Sequence, residues 1–164
     1  MLKMSIFVGN VLYPACGQWL ELPATEDEIE EAKAAAITDD CEEIMISDYE
    51  GIKVNEYDNI EEINEIAEEI DNLDDYEQDI IEALIDDGYE FSEALEIVQN
   101  GDYIYYNDCN SMSDVAYQYC EECGILSQIP DDLQGYFDFE AFGRDMEYNG
   151  NFIATYDGYI EVIR

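Results

Sequence analysis

Hydrophobic positions recur along this chain in two rhythms, and the rhythm changes twice. From residue 1 to 58 short alternating runs prevail: "MSIFVGN" and "GQWLEL" read as β-strands, and "EEIMISDYE" alternates well enough for a third. Between them "TEDEIEEAKAAAI" has a helical period, with Thr25 at the N-cap and Glu28 placed to close a capping box. From Asn59 the period lengthens. Asn59 is set to cap a helix whose inner face is Ile60, Ile63, Ala67 and Ile70. A second helix is expected near Asp75, with Tyr76, Ile80, Ile81 and Leu84 inward and Gly88 at its C-terminal end. Ser92 is expected to cap a third, short helix carrying Ala94, Leu95 and Val98, which Gly101 stops.

After Gly101 the alternation returns. "DYIYY" reads as a strand and "MSDVAYQYCEECG" as a helix with Ser113 as candidate cap. "PDDLQGYF" and "DFEAFGRDM" read as two short helical turns, and "NFIATYDGYIEVI" as a hairpin turning at Asp157-Gly158. The fold class that follows is α+β, in three small domains: an α+β domain over 1–58, an acidic helical domain over 59–100 and a second α+β domain over 101–164. There is no repeat and no Gly/Ser linker. Three modules in a row, the middle one slender, predict an elongated molecule.

Charge changes this picture. The 164 residues carry 43 acids against 5 bases, a formal charge of −38, and between Lys53 and Arg144 there is no basic residue. The stretch "EEINEIAEEIDNLDDYEQD" alone has ten carboxylates in nineteen positions. Like charges four apart on a helix cost roughly 0.2–0.5 kcal/mol per pair. High charge with low hydrophobicity would mean disorder, but 48% hydrophobic and 13% aromatic content supplies a core. Adaptation of the surface to high salt does not by itself explain why bases are missing from one continuous segment.

The same composition excludes most chemistry. Without histidine there is no His-based triad or general base. No phosphate-binding glycine loop is present, and carboxylate pairs are too general to mark a glycosidase-type site. The expectation is therefore no enzyme and no cofactor. The "CEEC" at 120–123 has CxxC spacing with Cys109 upstream, but Cys16 and Cys41 lie in another module, so the four ligands of a structural zinc are not assembled. No calcium loop is complete; "NDCNSMSD" lacks the glycine and the final Glu. No metal site is expected. Five cysteines without a clear export signal favour reduced thiols and a cytoplasmic location. "LYPAC" has a faint likeness to a lipoprotein cleavage site, but Asn10 interrupts the apolar region, Pro14 crowds the cysteine and only Lys3 is basic, which favours a first strand. No apolar run approaches the ~20 residues of a membrane span, and anionic lipid would repel this chain.

What remains is the charge itself. Duplex DNA carries about one charge per 1.7 Å, so 38 net charges match roughly 65 Å of duplex. The repulsion is tolerable if the carboxylates stand where phosphates would stand for a basic DNA-binding groove. Binding nucleic acid directly is excluded by sign; the partner should be a basic protein.

At "IPDDLQGYFDFEAFGRDM" (129–146) the sequence resembles the antirestriction motif of the ArdA family. "MSIFVGN" with the later Trp19, "SDYEGIKVNEYDNIEEINEIAE" and "NGDYIYYNDCNSMSDVAYQYCEECG" resemble the same family in the same order, so the likeness spans essentially the whole chain. The resemblance implies a DNA mimic that occupies the DNA channel of type I restriction-modification enzymes, formed by their specificity and modification subunits, and inhibits them stoichiometrically. It also implies three small domains in a curved rod and a homodimer joined through the C-terminal domains at the motif. On this sequence the motif places Pro130 at the start of a short helix. Leu133, Tyr136, Phe137, Phe139 and Phe142 are its apolar residues, suited either to the domain core or to the dimer contact. Arg144 lies four after Glu140, oriented for an ion pair or for an interface role. The expected mimic surface comprises Glu61, Glu62, Glu65, Glu68, Glu69, Asp71, Asp74, Asp75, Glu77, Asp79, Glu82, Asp86, Asp87, Glu93 and Glu96. The alternatives are an acidic module for another basic partner, such as a nucleoid or other defence protein, and a divalent-cation buffer.

Overall fold

The computed structural model describes residues 2–163. The chain divides into two compact units, Met1–Val98 and Gln99–Arg164. Unit 1 opens with β1 (Met4–Asn10), β2 (Gly17–Leu22), α1 (Glu26–Ala36) and β3 (Ile44–Glu50). The strands form an antiparallel sheet in the order β2-β1-β3. Alternation works as expected: Met4, Ile6 and Val8 with Leu20 and Leu22 face inward, where α1 covers them with Ile29, Ala32 and Ala36. Thr25 and Glu28 form the capping box.

Asn10, at the end of β1, is fully buried. Its Nδ2 donates to the carbonyls of Ala36 and Cys41, both at 2.9 Å, and its Oδ1 accepts from the N–H groups of Leu12 and Tyr13. The polar break in the N-terminal apolar run is thus a staple between the strand end, the end of α1 and the next loop.

Three helices follow: α2 (Ile60–Asp71), α3 (Asp75–Asp87) and α4 (Phe91–Asn100). Asn59 caps α2 by accepting from the Glu62 N–H (2.9 Å), and Ile60, Ile63, Ala67 and Ile70 are buried as the spacing predicts. Gly88 ends α3 with φ 113°, a left-handed value that suits glycine. Two details differ from expectation. Tyr76 is 48% exposed although it shares a face with Ile80 and Leu84; the buried residue of that turn is Gln78. Ser92 is not the cap of α4 but lies inside it, because the Glu90 carbonyl already accepts from the Ala94 N–H.

The segments expected as separate domains, 1–58 and 59–100, are joined within unit 1 by buried polar contacts. Asn64 of α2 accepts from the Ala24 N–H (2.7 Å) and donates to the Ala24 carbonyl (3.0 Å). Gln78 of α3 accepts from the Leu2 N–H (3.2 Å) and donates to the Leu73 carbonyl (3.1 Å). Among the described residues no buried side-chain polar atom lacks a partner, as burial away from water requires.

Unit 2 contains β4 (Tyr103–Asn107), α5 (Met112–Glu122), 3-10 turns at Leu126–Gln128 and Gln134–Tyr136, α6 (Phe139–Asn149), β5 (Phe152–Ala154) and β6 (Gly158–Val162). Its antiparallel sheet has the order β4-β6-β5. Tyr106, Cys109, Met112 and Val115 form its core, with Tyr119, Met146, Phe152 and Tyr159 packed against it. The Tyr106 hydroxyl donates to Glu161 (2.9 Å); burial, and then this carboxylate, raise its pKa well above the usual phenol value.

Three expectations are corrected here. Ser111, not Ser113, caps α5, accepting from the Asp114 N–H, and this makes Met112 the first helical residue and buries it. The run at 138–146 is not a short turn but the start of an eleven-residue helix capped by Asp138. The hairpin turns at Tyr156-Asp157, since the Thr155 N–H donates to the Gly158 carbonyl and Gly158 is already in β6. Gly158 is needed for another reason: a Cβ there would stand 2.0 Å from the Tyr106 carbonyl oxygen on β4.

Candidate functional site

Burial of one stripe on each helix decides where the carboxylates of unit 1 stand. Once Ile63, Ala67 and Ile70 on α2, Ile80, Ile81 and Leu84 on α3, and Ala94, Leu95, Ile97 and Val98 on α4 are inside, every other face is outside. Glu61, Glu62, Glu65, Glu68, Glu69, Asp71, Asp74, Asp75, Asp79, Glu82, Asp86, Asp87 and Glu96 are exposed, and Glu77 and Glu93 half-buried. The like-charged i,i+4 pairs Glu61–Glu65, Glu65–Glu69, Asp75–Asp79 and Glu82–Asp86 together cost about 1–2 kcal/mol. Burying a single isoleucine or leucine returns about 1.5–3 kcal/mol. The fold therefore tolerates the charge without needing to neutralise it.

Some of these acids also have structural duties. Asp74 and Glu77 close the capping box of α3, and Glu68 accepts from Asn64 Nδ2 (3.1 Å). None of the three helices has a basic residue in its last turn. The two nearby lysines come from elsewhere and are both engaged. Lys33 on α1 pairs with Glu61 and, at 3.6 Å, with Glu30. Its hydrogen bond to Glu61 holds that carboxyl below the usual range and raises the lysine's own pKa. Lys53 donates to the Gly88 carbonyl (2.6 Å) and pairs with Glu90 (3.3 Å). It supplies α3 with the C-terminal cation that the helix itself lacks. Neither lysine is left free to interrupt the negative field.

The motif of unit 2 is built differently. Pro130 opens a turn in which its carbonyl accepts from the Leu133 N–H (2.8 Å), leading into the 3-10 turn at Gln134–Tyr136. Phe137, Phe139 and Phe142 then gather into a half-buried aromatic cluster with α5. Ring centroids lie 4.7 Å apart for Phe137–Phe139, 5.7 Å for Phe137–Phe142, 5.2 Å for Tyr117–Phe139 and 6.1 Å for Tyr119–Phe142. Leu133 and Tyr136, at 51% and 85% exposure, point away from it. Arg144 is exposed and makes no ion pair with Glu140.

Gly143, absent from the residues expected to matter, sets the approach of α6 to α5. A Cβ there would meet the Met112 carbonyl oxygen at 2.3 Å. A glycine flanked by Phe142 and Arg144 in an amphipathic helix was the available signal. The five cysteines are free thiols; in the CxxC of α5 Cys120 is buried and Cys123 exposed. Among the described residues no helix is long and apolar enough to cross a membrane.

Compared with known families, residues 14–161 match the family model described as antirestriction protein (ArdA), which spans both units. No curated protein matches the chain.

Proposed function

The chain belongs to the ArdA antirestriction family, whose members are inhibitors rather than enzymes and whose targets are type I restriction-modification enzymes; on that premise we propose that it inhibits by standing in for DNA. The carboxylates of α2, α3 and α4 occupy the DNA channel formed by the specificity and modification subunits, in the cytoplasm where enzyme and DNA meet. The observation that carries this reading is the exposed, base-free acidic surface of α2–α4, whose neighbouring lysines are both held in contacts of their own. Such a surface steers a basic groove toward itself and loses its hold as salt rises. No cofactor or direct contact with nucleic acid enters this mechanism.

The chain acts as a homodimer, with Leu133, Tyr136 and Arg144 of unit 2 at the contact between copies. Their exposure beside a packed aromatic cluster supports this assignment. Leu133→Ser with Tyr136→Ser should shift sedimentation toward the monomer while leaving the thermal midpoint nearly unchanged.

The test of mimicry is a titration of the protein into a type I methyltransferase bound to labelled duplex, at low and at physiological salt. Stoichiometric DNA release that weakens with salt is the expected result. No release at several-fold excess would remove this target and favour another basic partner, such as a nucleoid protein.

A further inference from the structure

The sheet of unit 1 has a second face, opposite α1, and it is not merely acidic. In the β2-β1-β3 register Trp19, Phe7 and Asp48 lie side by side across the three strands, and Glu21, Ser5 and Glu50 form the next row. The rings of Phe7 and Trp19 meet edge to face, 5.6 Å apart at 80°. Trp19 is 47% exposed, and Glu21, Asp48 and Glu50 are exposed without an ion-pair partner among the described residues. Adjacent strands are about 4.8 Å apart and i,i+2 neighbours about 7 Å. Asp48 is therefore directly across from Phe7, Glu21 is the next same-face position after Trp19, and Glu50 is the diagonal neighbour of Phe7. Lys3, exposed just before β1, is the cation in line with this face, and it pairs with none of them.

We propose that this face is a docking site for an arginine-bearing basic segment of the target enzyme, with the guanidinium stacked on the Phe7–Trp19 pair and held by Glu21, Asp48 or Glu50. The inference rests on the mimicry reading and adds to it a contact that charge alone does not provide. A guanidinium both stacks on aromatic faces and forks onto carboxylates, which an ammonium does less well. Other occupants fit worse. A neutral apolar partner would bury unpaired carboxylates. A second copy of this chain would bring its own negative charge to the contact. Nucleic acid is repelled for the same reason.

Trp19 is the sole tryptophan of the chain, so replacing it biosynthetically with 5-hydroxytryptophan, excited to the red of ordinary tryptophan, gives a reporter at this face alone. The labelled protein is titrated into the methyltransferase core bound to fluorescent duplex, and DNA release and reporter emission are followed together. The expected result is an emission change in step with release. Trp19→Ala, which alters no charge, should need roughly tenfold more protein for half-release, whereas Trp19→Phe stays within about threefold of the parent. Glu21→Gln, Asp48→Asn and Glu50→Gln combined should also weaken release in folded protein. DNA release with unchanged emission, or with Trp19→Ala as potent as the parent, overturns the docking site and leaves mimicry standing. No DNA release by the unsubstituted protein overturns the mimicry reading and this site with it.

Discussion

The two units solve opposite problems. Unit 1 buries a mainly aliphatic stripe on each of α2, α3 and α4 and leaves most of their carboxylates exposed, so its outer surface depends little on any one side chain. Unit 2 packs α6 on α5 through half-buried phenylalanines and a close backbone approach at Gly143, so its motif depends on a few contacts. Distributed charge degrades by degrees, because each carboxylate is screened and replaceable. A close-packed contact fails abruptly, because the interior does not yield by fractions of an ångström.

The largest expected effect tests the distributed side. Glu65→Gln, Glu69→Gln, Asp75→Asn, Asp79→Asn, Glu82→Gln and Asp86→Asn together should weaken inhibition about 100-fold or more, whereas each alone changes it less than about threefold. Restriction protection assays across the series would expose a failure of the comparison as one acid that dominates. The concentrated side is tested by Gly143→Ala. It should destabilise unit 2 by about 3 kcal/mol in denaturant unfolding of the full chain, since the Met112 carbonyl is backbone. A loss below about 0.5 kcal/mol would mean that α6 shifts freely on α5.

Asn64→Leu sharpens the comparison from within unit 1. Losing both hydrogen bonds leaves the Ala24 amide and carbonyl without partners, at a cost of about 1–3 kcal/mol by the same measurement. Surface Asp→Asn changes should leave stability level or improve it. The smallest effect belongs to Lys33–Glu61, a partly exposed pair expected to contribute about 0.2–1 kcal/mol. Glu61 has a lowered folded-state pKa, so its share is present above the ordinary carboxylate pKa and is lost as pH falls through the lowered value. Lys33 has a raised pKa, so its share is complete below the ordinary lysine pKa and is lost as pH rises through the raised value. A double-mutant cycle with Lys33→Met and Glu61→Gln, repeated across pH, should show coupling at neutral pH that fades at both ends.

Local chemistry was legible in the order of residues: the alternation of β1 and β2, the Thr25–Glu28 capping box, the Asn59 cap and the inner face of α2 each depend on neighbours within one or two turns. The acidity of the α2–α4 surface was equally legible, because a helix with one apolar stripe has nowhere else to put its charges. The errors arose where two local solutions were nearly equal. Ser111 and Ser113 both suit a cap; the structure uses Ser111, which makes Met112 the first residue of α5, in the core cluster that also holds Tyr106. Tyr76 matches the period of Ile80 and Leu84, yet the first turn of α3 spends its inward position on Gln78, which answers the Leu2 amide 76 residues away. By itself the sequence determined the strands, most of the helices, net charge and aromatic motif, since periodicity and composition act over short distances, while the full length of α6 was not read from it. Only the tertiary structure decided which phenylalanines pack and which tyrosines stay outside, why residue 143 must be glycine, and that Phe7, Trp19 and three carboxylates share one face. Those are matters of strand register and helix approach between segments far apart in the chain, where no local rule operates.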